Sequence, residues 1–161
     1  PGWHDPAASD AAEARRYLAI RAECRGVQRN LMLCTGDELR PYVEATIGVV
    51  LPENATFIGD FRDGRVVSAA GFVNWCGHDV EVHLASAGAL SRAFLKRLGE
   101  YVFGELGCAR ASCRVAADNP WQNVLTRMGW VPEGRLRRGF DGVSIDMLVF
   151  GILREEYRYG R

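Results

Sequence analysis

Two apolar runs separated by a short turn-forming segment constrain the fold of this chain more than any other feature. The runs are TFIGDF (56–61) and RVVSAAGFVNW (65–75), and the three residues between them are Arg62, Asp63 and Gly64. Asp-Gly between two β-rich runs favours a tight turn that joins antiparallel strands. The sequence therefore predicts a β-hairpin here, and any acceptable fold must contain an antiparallel sheet.

The segment DVEVHLA (79–85) predicts a third strand directly after this hairpin. Apolar and polar residues alternate strictly along it, as expected for a strand with one buried face. The apolar face carries Val80, Val82 and Leu84, and the other carries Asp79, Glu81 and His83. We therefore expect a row of ionisable side chains on one face of this strand.

Helical patterns separate the remaining strands. NLMLC (30–34) predicts a strand, and Thr35 and Asp37 begin a helix whose first turn holds Pro41. A longer helix begins at Ala89 or Leu90, carries apolar residues at three- and four-residue steps, and ends at Gly107.

The last third of the chain continues this alternation. ARASCRVAA (109–117) predicts a strand, and Asp118 or Asn119 caps a following helix that has Pro120 in its first position and ends at Gly129. Two final strands form a long hairpin about Asp141 and Gly142. Hairpins require antiparallel neighbours and strand-helix-strand units require parallel ones. The predicted fold class is therefore α/β or α+β, with a mixed, mostly antiparallel central sheet flanked by helices.

Composition narrows the class of protein. A chain of 161 residues that is 48% hydrophobic suits one domain, and twenty basic and twenty acidic residues cancel. This balance disfavours a large nucleic-acid surface, and no apolar run approaches the ~20 residues of a membrane span. Irregular cysteine spacing indicates reduced thiols and a cytoplasmic protein; the cysteines are Cys24, Cys34, Cys76, Cys108 and Cys113.

The loop SAGALSRAF (86–94) contains small residues between the third strand and the long helix. Small side chains allow backbone N–H groups to approach a ligand, and the unpaired amides of a helix start point the same way. An anion site is one interpretation, with Ser91 and Arg92 adding a hydroxyl and a cation. The alternative is that small residues only let the helix pack closely on the sheet.

The order of elements and several segments resemble the GNAT superfamily of acyl-CoA-dependent N-acyltransferases. The resemblance rests on SAGALSRAF, NPWQNVLTRMGWVPEGRLRRGF (119–140) and VFGILREE (149–156), with FVNW (72–75) and LSRAF (90–94) closest to the phage-encoded branch. VFGILREE also resembles the ribosomal-protein branch. The resemblance implies a GNAT-like domain over residues 30–161. Residues 8–24 are rich in helix formers and predict a helix, so residues 1–29 are expected to form an N-terminal helical extension outside the resemblance.

This resemblance implies an N-acetyltransferase that moves an acetyl group from acetyl-CoA to a primary amine. The cofactor-binding residues it implies are Leu84, Ala85, Gly88, Ala89, Leu90, Ser91, Arg92 and Asn119, with a backbone N–H of Leu84 or Ala85 polarising the thioester. The family often has a tyrosine as proton donor to the leaving thiolate, where this chain has Leu125.

Glu81 and His83 are the candidate catalytic bases because the attacking amine must lose a proton. The alternative is structural: Glu81 pairs with a basic residue and His83 is a hydrogen-bonded sheet histidine. Asn74, Trp75 and Asp79 are candidates for binding the acceptor, which is a small-molecule or protein amine, or a modified nucleobase.

No metal site is expected, because Cys76, His78 and His83 lack a fourth ligand. Two other functional classes stay open: an acyl-CoA-binding module without catalysis, and an interaction protein with no cofactor. The oligomeric state is left open, with a dimer as one option.

Overall fold

The computed structural model describes residues 32–160. These residues form one sheet of seven strands in the order β1-β2-β3-β4-β5-β7-β6. The strands are β1 (Met32–Thr35), β2 (Thr56–Arg62), β3 (Arg65–Val73), β4 (Glu81–Ser86), β5 (Arg110–Ala116), β6 (Val131–Leu136) and β7 (Met147–Leu153). All neighbours are antiparallel except β4 and β5, which are parallel. The predicted mixed, mostly antiparallel sheet is confirmed.

Three α-helices flank the sheet within the described residues. They are α1 (Arg40–Ile47), α2 (Arg92–Gly99) and α3 (Trp121–Met128). A 3₁₀ turn (Asp37–Leu39) precedes α1, and another (Arg154–Glu156) follows β7. A π-helical segment (Glu100–Glu105) continues α2. The predicted N-terminal helix over residues 8–24 and the extension over residues 1–29 lie outside the described residues.

Two apolar clusters lie on opposite faces of the sheet. One packs α1 onto β2, β3 and β4 and includes Val43, Phe57 and Ala85. The other packs α2 and α3 against the opposite face and includes Phe94 and Phe150. Because side chains alternate along a strand, this assignment tells which face each residue of β4 occupies.

Short sequence patterns predicted which helices and strands exist more accurately than where they begin and end. The β2–β3 turn contains Asp63 and Gly64, both with positive φ of 51° and 76°, as a two-residue hairpin turn requires. Strand β3 ends at Val73 and not at the predicted residue 75, and β4 begins at Glu81 and not at residue 79. Helix α2 begins at Arg92, two or three residues later than predicted, because the side chain of Ser91 caps it.

No helix among residues 32–160 combines the length and the apolar character needed to cross a lipid bilayer.

Candidate active site

A gap between the two parallel strands is the central feature of the site. The ladder between β4 and β5 contains one residue pair, Glu81 with Ser112. Just before this pair, the Ser112 N–H donates to the carbonyl of Val80 at 2.9 Å. Beyond it, no ladder pair joins the two strands within the described residues, so the sheet opens toward the C-terminal end of β4.

The alternation of backbone groups shows which amides face this gap. The polar groups of Val80 face β5, so those of Val82 and Leu84, two and four residues later, face the same side. Ala85 instead stands opposite Ala69 of β3 and directs its N–H toward that strand. Of the two predicted donors to a thioester carbonyl, Leu84 therefore has the amide that points into the gap.

The loop after β4 presents unpaired backbone donors at the end of this gap. Within the described residues, the amides of residues 89–93 make no hydrogen bond to the chain. The hydroxyl of Ser86 donates to the carbonyl of Gly88 at 2.8 Å and fixes the loop from the strand side. A Cβ built at Gly88 meets no atom within 4 Å, so space is open above this residue.

Ser91 forms the entrance of α2. Its hydroxyl accepts a hydrogen bond from the N–H of Phe94 at 3.0 Å and donates one to Oδ2 of Asp60 at 2.8 Å. The hydroxyl proton is therefore used inside the protein. Arg92, the first residue of α2, is exposed.

Glu81 is the centre of the polar cluster on the face of β4 that α1 also covers. The residue is only 7% exposed. Its Oε2 accepts a hydrogen bond from Nδ2 of Asn74 at 2.9 Å. Its Oε1 lies 3.5 Å from Nε2 of His83 and 3.5 Å from Nε of Arg114. Arg114 belongs to β5, so its side chain reaches across the gap.

Burial lowers the pKa of His83 below its ordinary value. Desolvation of the imidazolium is the largest cause, the Glu81 carboxylate acts in the opposite direction, and the Arg114 guanidinium lowers the pKa further. A lowered pKa leaves the imidazole neutral at neutral pH. His83 is therefore able to accept a proton there.

The other predicted acceptor-binding residues lie beside this cluster. Asp79 precedes β4, and its Oδ2 pairs with Nη1 of Arg110 at 3.3 Å. Trp75 follows β3 and is 58% exposed, and its side chain hydrogen-bonds the thiol of the buried Cys108. The structure thus brings Asn74 into contact with Glu81 and leaves more than half of the Trp75 side chain exposed at the surface.

Asn119 lies two residues before α3, and Leu125 lies within this helix. Oδ1 of Asn119 accepts a hydrogen bond from the N–H of Trp121, the first residue of α3, at 3.0 Å. The N-cap position itself is Pro120, one residue later than the predicted Asp118 or Asn119. Leu125 is buried in the apolar cluster between α3 and the sheet. A hydroxyl at this position would need a partner within that cluster.

The residues considered as metal ligands do not converge. Sγ of Cys76 lies 3.9 Å from the ring nitrogens of His78, whereas His83 contacts Glu81. Across residues 32–160, no group of three or more metal-binding side chains could hold an ion.

The sequence patterns did not identify two residues of this region, Arg114 and Asp60, as candidates. Arg114 shares a face with Arg110 and Ser112 along β5, and this alternation was a usable signal once β5 was placed beside β4. Asp60 is an acidic residue in an otherwise apolar run, which is itself a signal because unpaired carboxylates are rarely buried.

Comparison with solved structures identifies the architecture. A probable acetyltransferase aligns over 65% of this chain and 64% of its own, with 23% identity and a TM-score of 0.56. Mutant forms of the spermidine/spermine N-acetyltransferase SpeG from Vibrio cholerae align over 80% of this chain and 97% of theirs, with 17% identity and a TM-score of 0.64. The dodecameric spermidine N-acetyltransferase from Vibrio cholerae gives 16% identity, coverage of 80% and 96%, and a TM-score of 0.62.

The chain has a GNAT-like fold. No protein-family model matches the sequence, and no curated protein matches it. At identities below 25%, the likeness concerns the fold.

Proposed function

We propose that this protein is an N-acetyltransferase that uses acetyl-CoA and a primary amine. One observation carries the proposal: the parallel strands β4 and β5 part after a single residue pair, beside a loop with unpaired amides. A gap of this kind admits an extended chain such as pantetheine between two strands. Its free amides and buried polar cluster supply the groups that acyl transfer needs.

The amides of residues 89–93 are the proposed site for the diphosphate of CoA. Unpaired N–H groups at a helix start favour an anion, and the helix dipole adds to the attraction. Gly88 leaves room for the phosphates, and Arg92 supplies an exposed cation at the first position of α2. The side-chain Oδ1 of Asn119 accepts from the N–H of Trp121, which leaves its Nδ2 to donate to a carbonyl oxygen of the pantetheine amides.

The polar cluster is proposed to remove a proton from the amine. A neutral amine attacks the thioester carbonyl, a carbon–nitrogen bond forms, and the carbonyl oxygen becomes negatively charged. The N–H of Leu84 stabilises this oxygen by hydrogen bonding. The imidazole of His83, neutral because its pKa is lowered, accepts the proton directly or through one water. Glu81 orients His83 and stabilises the imidazolium that forms.

Collapse of the tetrahedral intermediate breaks the carbon–sulfur bond and releases CoA. Leu125 cannot protonate the departing sulfur. Thiols are acidic enough, with a pKa of about 8.5 for cysteine, to leave as anions. We therefore propose that the thiolate leaves without a dedicated acid and takes its proton from water.

The identity of the amine is tested with a panel. Spermidine belongs in it because structural neighbours are spermidine N-acetyltransferases. A peptide with a free α-amino group and a nucleoside with a modified, amine-bearing base represent the two other acceptor classes. The nucleoside is included because the segments at 72–75 and 90–94 resemble the phage-encoded branch.

The experiment has two stages. Acetyl-CoA should raise the melting temperature, and then the panel should be screened for amine-dependent release of free thiol. Stabilisation together with thiol release supports the proposal. A melting temperature unchanged at saturating acetyl-CoA contradicts it.

An acyl-CoA-binding module without catalysis is the second candidate, favoured by the buried Leu125 in place of a proton donor. Such a module would be stabilised by acetyl-CoA and would release no thiol with any amine. Glu81→Gln and His83→Asn separate the two candidates, because they should abolish thiol release from an enzyme while leaving the affinity for acetyl-CoA unchanged.

A further inference from the structure

Asp60 is a buried carboxylate that the chemistry above does not use. It lies near the end of β2 with 0% exposure. Its Oδ2 accepts the hydroxyl proton of Ser91 at 2.8 Å and lies 3.4 Å from Nη2 of Arg62. Its Oδ1 is buried and has no hydrogen-bond partner within the described residues. Burying a carboxylate in this position costs several kcal/mol of desolvation, so we expect Asp60 to have a structural or functional role that offsets this cost.

Asp60 lies in register with the residue at the end of β4 where the loop to α2 begins. Strand register places Asp60 opposite Ser68, and Ser68 opposite Ser86. Each lies two residues along its strand from a residue of the apolar cluster under α2 or packed against it, namely Ile58, Ala70 and Leu84, so all three point to that face. We call Asp60, Ser68 and Ser86 the polar row.

The polar row holds the loop at two points. At one end Ser86, whose hydroxyl lies 2.9 Å from that of Ser68, donates to the carbonyl of Gly88. At the other end Asp60 accepts from Ser91. The unpaired amides of residues 89–93 begin directly after the first point and include Ser91 itself. Both ends of the proposed diphosphate site are therefore fixed to the sheet below it.

Asp60 also determines which hydrogen bonds the hydroxyl of Ser91 makes. A serine hydroxyl has one proton, and Ser91 gives it to Asp60 while accepting from the N–H of Phe94. This arrangement fixes the χ1 rotamer of Ser91 and caps α2. It also keeps the guanidinium of Arg62, which contacts the same carboxylate oxygen, next to the start of the helix.

We propose that Asp60 is a positioning residue for the diphosphate of the CoA thioester. It orients Ser91 and the start of α2 so that the amides of residues 89–93 point at the phosphates, and it does not touch the ligand. The inference rests on the proposed function. It adds that recognition of the diphosphate depends on a residue of β2, 31 positions from Ser91.

The test compares two acyl donors that differ in the nucleotide portion that carries the diphosphate. Acetyl-CoA contains the diphosphate and 3′-phosphoadenosine, and S-acetylpantetheine contains neither. Asp60→Ala removes the acceptor of the Ser91 proton, whereas Asp60→Asn retains an oxygen that can accept it. Asp63→Asn is the matched control, because it removes a carboxylate from the adjacent turn that contacts neither Ser91 nor the loop. For each protein, kcat/KM is measured with both donors, and calorimetry measures the affinities for CoA and pantetheine.

Asp60→Ala should lower kcat/KM and affinity with the CoA donor by about tenfold, the value of one hydrogen bond. The values with the pantetheine donor should stay within about twofold of wild type. Asp60→Asn should recover most of the loss, and Asp63→Asn should match wild type. Equal losses with both donors, or no loss with either, would overturn the inference.

The wild-type protein separates this inference from the proposed function. Wild type that binds CoA without turnover contradicts the enzyme and still tests Asp60 through the two affinities. Wild type that does not bind CoA overturns both. If Asp60→Ala does not fold, the pair Ser91→Ala and Ser91→Thr tests the same hydrogen bond from the other side, since threonine keeps the hydroxyl. Loss specific to CoA in the alanine variant, with recovery in the threonine variant, is then the expected result.

Discussion

The side-chain amide of Asn74 donates a 2.9 Å hydrogen bond to the carboxylate of Glu81, across the turn between β3 and β4. Asn74 has a φ of 54°, in the left-handed region that asparagine tolerates better than most residues. This backbone conformation directly follows the last residue of β3. Asn74 therefore has two roles: it adopts the left-handed backbone conformation that ends β3, and it orients the Glu81 carboxylate at the centre of the candidate active site.

Asn74→Gly should lower the rate of thiol release without unfolding the protein. Glycine keeps the left-handed backbone but removes the donor to Glu81. We expect kcat to fall by about tenfold, the value of one hydrogen bond to a charged group. Steady-state kinetics and thermal unfolding check this. An unchanged kcat would show that Glu81 does not depend on Asn74.

His83→Asn should remove most of the catalytic rate. Loss of a general base usually costs ~10² to 10⁴ in rate, whereas the diphosphate site is on the loop after β4 and stays intact. We expect kcat to fall by about 10² or more and the calorimetric affinity for CoA to stay the same. His78→Asn is the control, because His78 is exposed in the turn before β4. Equal kcat values for the two variants would contradict the assignment of His83.

The rate and the stability should both fall as the pH drops below the ordinary pKa of histidine. Burial lowers the pKa of His83 in the folded protein, so between that value and about 6.5 the unfolded chain binds the proton more readily. The free energy of unfolding contributed by His83 is therefore complete above about pH 6.5 and decreases on acidification.

Two measurements check the pH dependence. The kcat/KM profile should show an acidic limb with an apparent pKa below about 6.5. Urea unfolding between pH 5 and 7.5 should show a smaller decrease in stability for His83→Asn than for wild type. A decrease of the same size in both would mean that other groups control the acid sensitivity.

Gly88→Val should block the binding of acetyl-CoA and leave the fold intact. The added side chain meets no protein atom close to its Cβ, and the φ of Gly88 is not positive. It would occupy the space proposed for the phosphates. Gly134→Val is a suitable control, because Gly134 is similarly open and lies on β6. Calorimetry should show lost affinity for Gly88→Val alone, and unchanged affinity would discard the diphosphate assignment.

Tyr157→Phe should destabilise the protein by about 1–2 kcal/mol. The buried hydroxyl of Tyr157 donates to the carbonyl of Leu95 in α2, and its loss leaves that carbonyl short of a partner. Tyr159→Phe is the control, because the Tyr159 hydroxyl makes no hydrogen bond within the described residues. Chemical denaturation measures both, and equal stabilities would show that this hydrogen bond contributes nothing.

Patterns within a few residues predicted most of the fold. The Asp-Gly turn predicted the β2–β3 hairpin, and the alternation in residues 79–85 predicted the polar face that carries Glu81 and His83. Element ends were less accurate. Helix α2 starts at Arg92 because the hydroxyl of Ser91 satisfies the N–H of Phe94, and small residues before it can adopt helix or loop equally well.

Contacts between distant elements could not be predicted in this way. Arg114 reaches Glu81 only because β5 lies beside β4, and Asp60 meets Ser91 only because α2 packs over β2. The sequence contains both pairs, yet no periodicity relates them. The candidate residues of β4 and its loop were therefore accessible from the sequence, whereas the groups that orient them were not.

The junction between β4 and β5, joined by a single residue pair, also separates the sheet into two parts that are consecutive in the sequence. Every strand on the β4 side precedes residue 87, and every strand on the β5 side follows residue 109, so the backbone crosses the opening once. A cut at residues 106–109 would therefore yield two fragments, each with a continuous piece of sheet. The apolar cluster that contains Phe94 from one fragment and Phe150 from the other would drive their reassembly, which makes this domain suited to conditional reconstitution from separately expressed halves.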